Sequence, residues 1–208
     1  MAIIVRNAPR RGPAVLAAHV TDLVRERRLP QGMSVEMRAE DLAHSEPHPV
    51  FIATLDDLAS GKLLGAAKKT SWRYLLVHGE SAVAEAELSA GRVKGKELAF
   101  LGLTHGPFSG ATIDALRAAE ELPQVAGADY ELRLLKVPAV YLVALWLHRG
   151  GEDILIPMGD PPGGLKANRP YSEADVIAAL RDIAIRNKQF QDAYDKNQRT
   201  ARRKKGKS

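Results

Sequence analysis

Apolar residues recur every three or four positions over residues 12–28, where Val15, Leu16, His19, Val20, Leu23 and Val24 share one side. This spacing predicts an amphipathic helix, opened by Gly12-Pro13 and stopped by Pro30. Its end carries Arg25, Arg27 and Arg28, cations suited to the negative pole of a helix. Ile3 to Val5 reads as a short strand. Residues 31–50 are polar, and the two prolines of SEPHPV predict no regular element there. Residues 54–59 predict a short helix with Gly61 as its terminator.

From Ser71 the period drops to two. Trp72, Tyr74, Leu76 and His78 alternate with Arg73, Leu75 and Val77, and Gly79-Glu80 turns the chain into a second segment, residues 81–88. There Ala82, Ala84, Ala86 and Leu88 share one face and Val83, Glu85 and Glu87 the other. The pair predicts a hairpin. The nearly flat alanine face leaves room for one of the protein's own helices, and Glu85 and Glu87 are expected to face water. A third segment, residues 97–103, follows.

THGPFSG at 104–110 resets the chain into a helix over 111–122, with Ile113, Leu116, Ala119 and Leu122 on its buried face. Three further strands are expected at 130–137, 139–148 and 153–158, the last two joined by Gly150-Gly151. The segment AVYLVALWLH is apolar on both faces, which predicts a strand covered on both sides at the heart of the core. Residues 159–170 are irregular. Ser172 then caps a long helix in which Val176, Ile177, Leu180, Ile183, Ala184, Phe190 and Tyr194 keep the 3.6 period.

The expected fold is α+β: an antiparallel sheet of about five or six strands flanked by helices, with a long C-terminal helix and a disordered basic tail. Residues 1–198 make one domain. It has a helical N-terminal part (12–70), a sheet with an inserted helix (71–158, helix 111–122) and a C-terminal helix (172–197); residues 199–208 form the tail.

Charge changes this picture more than composition does. The chain carries 30 Lys and Arg against 25 Asp and Glu, a net charge of +5. Six of those cations, Arg199, Arg202, Arg203, Lys204, Lys205 and Lys207, fall in the last ten residues with no acid among them. Taking 6 from 30 leaves 24 bases against 25 acids, so the rest of the chain is near neutral at −1. Polyanion binding, nucleic acid included, is therefore assigned to the tail and not to a basic stripe on the body.

The chemistry that remains is sparse. With no cysteine, disulfides, thiolate metal sites and a cysteine nucleophile are excluded. The apolar run before Arg6 is too short for a secretory signal, and the most apolar stretch, residues 137–147, falls short of a membrane span. A cytoplasmic protein without membrane contact is expected. His44 and His48 have a metal-ligand spacing, but Pro47 and Pro49 oppose the helix that would align them, and no metal or other cofactor is expected.

The loop GDPPGGLKANRP lacks the Gly-Lys-Ser/Thr of a phosphate loop, because Leu165 parts Gly164 from Lys166. What is left to it is the candidacy of a mobile loop that contacts a partner through Lys166 and Arg169. His105, Ser109, Gly110 and Thr112, at a helix start, form the candidate anion or ligand site, with Ser109 or Thr112 the expected cap. No catalytic residue is assigned. The leading expectation is a non-enzymatic intracellular binding or adaptor protein, either paired with a protein partner or a second copy of itself or a component of a larger assembly. The alternatives are nucleic-acid association through the tail, and a small-molecule enzyme or sensor built on residues 104–112.

Overall fold

The computed structural model describes residues 3–33, 38–79, 81–93, 95 and 97–205, with side chains to Tyr194 and at Lys196. In chain order these form β1 (Ile3–Ile4), α1 (Gly12–Arg25), β2 (Ala43–His44), β3 (His48–Ile52), α2 (Leu55–Ala59), α3 (Leu63–Ala66), β4 (Lys68–His78), β5 (Ser81–Ser89) and β6 (Phe100–Thr104). The chain continues through α4 (Pro107–Glu120), α5 (Pro123–Ala126), β7 (Tyr130–Val137), β8 (Leu142–His148), β9 (Ile154–Pro157) and α6 (Glu173–Lys205).

The expected hairpins are present as two antiparallel meanders, β4-β5-β6 and β7-β8-β9. Of the turn between β4 and β5, Glu80 lies outside the described residues. What joins the meanders differs from expectation. β3 lies between β4 and β7, antiparallel to the first and parallel to the second, giving the order β6-β5-β4-β3-β7-β8-β9. Among the described residues the sheet is thus nine-stranded and mixed, not an antiparallel sheet of five or six, and its middle strand is the HPVFI segment, whose first three residues were expected to be irregular.

Pro49 is tolerated because the ladder with β7 begins only at Val50, opposite Leu134. The proline's missing N–H therefore removes no bond on that side. β1 adds a second parallel pairing, also to β7.

Both faces are covered. Ala115, Ala119 and Val125 of α4 and α5 pack on Val50, Leu132, Leu134, Leu145 and Leu147. On the opposite face α1 sets Leu16 and Val20 over Trp72, Tyr74, Leu76, Ala84 and Ala86, so the flat alanine face receives a helix. Contact there is close: a Cβ on Gly12 would lie 1.9 Å from the Tyr74 hydroxyl oxygen. Farther along the same face, α2, α3 and α6 place Leu58, Leu63, Val176 and Leu180 against Leu135, Val137, Trp146 and Leu155. β8 is covered on both sides as its composition implies, although it lies one strand from the edge of the sheet.

Helix ends follow local chemistry with informative exceptions. Thr54 caps α2 in a reciprocal box with Asp57, and Ser172 does the same for α6 with Asp175. Pro107 starts α4 four residues before the expected 111, in keeping with the preference of proline for a first turn. The strand expected from Ala139 begins at Leu142, because residues 138–140 form a tight turn and Tyr141 is left-handed, φ 57°. α6 does not stop near 197. Its backbone stays helical to Lys205, in place of the expected disordered tail, through a run of good helix formers without Gly or Pro.

The loop of residues 159–170 is held down, where a mobile loop was expected. Leu165 is buried, the Asn168 amide donates to the Pro157 carbonyl, and Gly163 (φ +71°) lies on α6. A Cβ at Gly163 would meet the Ala179 carbonyl oxygen at 2.5 Å; Gly61 has a similar φ of +75° but open space around it. Gly163→Ala is therefore expected to lower stability by about 2–3 kcal/mol and Gly61→Ala by only about 1–2 kcal/mol, measured by urea unfolding.

Candidate functional site

On the α4 side of the sheet, β4, β5 and β7 carry charges where apolar residues would be expected. Arg73 is fully buried, 1% exposed. Its Nη1 donates to Glu85 Oε1 at 3.0 Å across the hairpin, and its Nη2 donates to His48 Nδ1 at 3.4 Å on β3. Glu87, two residues on from Glu85, accepts from the Ser71 hydroxyl at 2.8 Å and from Lys136 Nζ. Lys136 belongs to β7, so this last ion pair reaches over two intervening strands, about 14 Å of sheet. Glu85 and Glu87 thus do not face water as their alternation suggested. They face the covered side of the sheet.

The electrostatics of the cluster follow from burial. Desolvation, reinforced by the Arg73 charge, pushes the His48 imidazole down to about 3 from 6.5. His48 is therefore neutral, with the lone pair on Nδ1 toward the guanidinium and the proton on Nε2. Burial alone would push Glu87 up, but Lys136, Ser71 and Arg73 together outweigh it and hold the carboxylate below its ordinary value. Burial lowers Arg73, and Glu85 is its strongest opposing partner. Two cations and two carboxylates leave the floor formally neutral.

Above this floor lies a cleft of about 490 Å³, lined by Arg73, Glu85, Glu87 and Lys136 beneath. One wall is the start of α4 with the preceding loop, residues 104–109; the other is the β7–β8 connection with Pro138, Tyr141, Leu142 and Val143. Phe108 on the first wall and Tyr141 on the second are both exposed, at 40% and 87%.

Two of the four sequence-derived candidates reach this cleft, His105 and Ser109. His105 donates Nδ1–H to the Val83 carbonyl at 2.6 Å, and its Nε2 edge packs so closely on Gly32 that a Cβ there would be 2.8 Å away. The ring holds the loop in place. Ser109 is buried, 1% exposed, and its hydroxyl has no partner among the described residues. Neither Ser109 nor Thr112 caps the helix: the N-cap is Gly106, with no side-chain bond, and Thr112 donates back to the Phe108 carbonyl in the core. The early helix start also places Gly110 beyond the four free amides of the first turn. Among these Pro107 has no N–H, and the Phe108 amide meets no acceptor among the described residues.

The remaining candidates lie elsewhere. His44 is exposed and edge-on to Tyr74 at 5.8 Å, on the α1 side, while His48 is buried with Arg73 on the α4 side. The pair cannot share a metal, and among the described residues no group of three or more metal-ligating side chains converges. Lys166 and Arg169 are exposed on the loop anchored beside α6. Arg199, Arg202, Arg203, Lys204 and Lys205 are carried on the helical backbone of α6, and Lys207 lies outside the described residues. No described helix is long and apolar enough to cross a membrane.

Sequence reasoning gave no site role to Arg73, Lys136 and Tyr141, weighed His48 only as a metal ligand, and read Glu85 and Glu87 as facing water. One signal was present: Arg73 interrupts the apolar run from Trp72 to Val77, between two residues that are themselves buried.

The His48 shift has a measurable sign. Between 6.5 and about 3 the unfolded chain binds a proton at this position that the folded chain refuses. Stability is present above 6.5 and falls as pH drops through that window, by up to about 1.4 kcal/mol per pH unit. His48→Asn, which can still accept from Arg73, is expected to flatten this slope in urea titrations run from pH 7 to pH 4.

No known protein family, curated protein or solved structure matches this chain.

Proposed function

We propose that this protein binds a small molecule in the cleft between the α4 start and the β7–β8 connection, and that it acts as a binding protein rather than a catalyst. One observation carries the reading: a neutral floor of four ionised side chains, part-buried to fully buried, lies open to a cleft with exposed aromatic rings on its walls. Cores seldom accommodate such groups, since paired charges regain little more than their desolvation cost. Concave sites lined by apolar groups with a few fixed polar ones are where ligands are held.

The protonation states favour recognition over proton transfer. Glu87 is held ionised and His48 neutral, each away from the neutral pKa that a general acid or base needs. These are fixed charges and dipoles. They orient a ligand without exchanging protons with it.

Thermal unfolding against a panel of carboxylates, amines, amino acids and nucleosides tests the reading. A ligand at one hundredfold its Kd adds about 2.7 kcal/mol, roughly 5–10 °C for a chain of this size. Phe108→Ala and Tyr141→Ala are expected to weaken that ligand at least tenfold. A panel without a hit, or a hit that both variants bind unchanged, would sink the proposal.

A second reading is favoured by the continuous helix of α6, which carries the terminal cations on one element instead of on loose chain. Nucleic acid bound there would be held by phosphate contacts, with affinity falling steeply as salt rises. Deleting residues 199–208 should abolish retention of a fluorescent duplex at low salt; retention by the shortened chain removes this reading.

A further inference from the structure

The polar groups of the cleft divide into two kinds, and the division specifies a ligand. On the α4 wall, two groups that can donate meet no partner among the described residues. Ser109 lines the cleft, and its buried hydroxyl has no partner among the described residues. Beside it the Phe108 amide meets no acceptor among the described residues, at the positive pole of a 14-residue helix whose first turn holds no acid. From the floor Lys136, 27% exposed at its side chain and paired with Glu87, adds a second positive charge.

On the floor the unspent group is an acceptor. Glu85 gives Oε1 to Arg73, and its Oε2 makes no hydrogen bond among the described residues. Glu87 lies beside it on the same strand face, 26% exposed at its side chain.

An anion alone would find the α4 wall but approach two carboxylates. A cation alone would find the carboxylates but approach Lys136 and the helix pole. A molecule carrying both charges satisfies each side and leaves the neutral floor balanced. Around these groups Pro107, Phe108, Pro138, Tyr141, Leu142 and Val143 offer an apolar enclosure for a side chain.

We propose that the cleft takes a zwitterion, an α-amino acid with an aromatic or branched aliphatic side chain. Its carboxylate lies at the α4 start on Ser109 and Phe108 N–H, and its ammonium lies on Glu85 and Glu87. This inference rests on the cleft being a ligand site and fails separately from it.

Calorimetric titration of the full chain with L-phenylalanine and L-leucine, set against 3-phenylpropionate and phenethylamine, tests it. At least one amino acid should bind, with each single-charge analogue at least tenfold weaker than L-phenylalanine or L-leucine, whichever binds. Ser109→Ala should weaken the amino acid and 3-phenylpropionate, leaving phenethylamine unchanged. Glu85→Gln should do the reverse; where loss of the Arg73 partner prevents folding, the comparison of probes on the native chain decides alone. Equal or tighter binding of either analogue overturns the zwitterion while the cleft reading stands. Silence from all four probes also overturns it, and the wider panel then decides the cleft.

Discussion

A guanidinium removed entirely from water is the constraint around which this half of the sheet is organised. Arg73 sits mid-strand at 1% exposure, where an unpaired cation would cost several kcal/mol. Its environment answers that cost from three directions. Glu85 supplies the opposite charge across the hairpin, His48 supplies a neutral acceptor from β3, and Glu87 contributes at longer range. Each answer imposes a further requirement. His48 must stay unprotonated, and Glu87, once buried, needs Lys136 and Ser71. The network therefore extends from β5 across to β7 and ties together the two meanders that β3 already joins by backbone pairing.

That joining strand explains why the arrangement is possible. β3 brings β4 and β7 to either side of one five-residue segment, so residues more than sixty positions apart in the chain come to share a single sheet face. Without it the antiparallel units would remain separate sheets, each with a charged residue on a face it could not satisfy. The cleft follows from the same geometry. α4 covers the apolar part of this face, and its N-terminal end stops over the charged part.

Much of this was legible in the chain. The hairpins at 68–89 and 130–157, the caps at Thr54 and Ser172, and the flatness of the alanine face are all set by residues near one another in the chain. The parts that escaped are those decided by distant partners. Glu85 and Glu87 alternate with alanines as any solvent-facing carboxylates would, and only the position of α4 tells which side is outside. HPVFI contains a proline and is too short to show a period, so its place as the middle strand depends on β4 and β7 and not on itself. Of the candidate site, the loop and helix start were found, while its charged floor was not, because Lys136 meets Glu87 across 49 residues of chain.

The left-handed residue before β8 has a structural corollary. β8 is apolar on both sides, so hydrophobicity alone does not decide whether Leu142, Ala144 and Trp146 or Val143, Leu145 and Leu147 turn toward α6. Shifting its phase by one residue would exchange the two sets at little cost in burial. Tyr141, at φ 57° after a tight turn, sets the angle at which the strand departs, and the Trp146 indole N–H donating to Asp153 at 2.8 Å pins the other end. An aromatic side chain in a backbone state that suits glycine thus serves as the parity marker of a strand whose own letters read the same from either face.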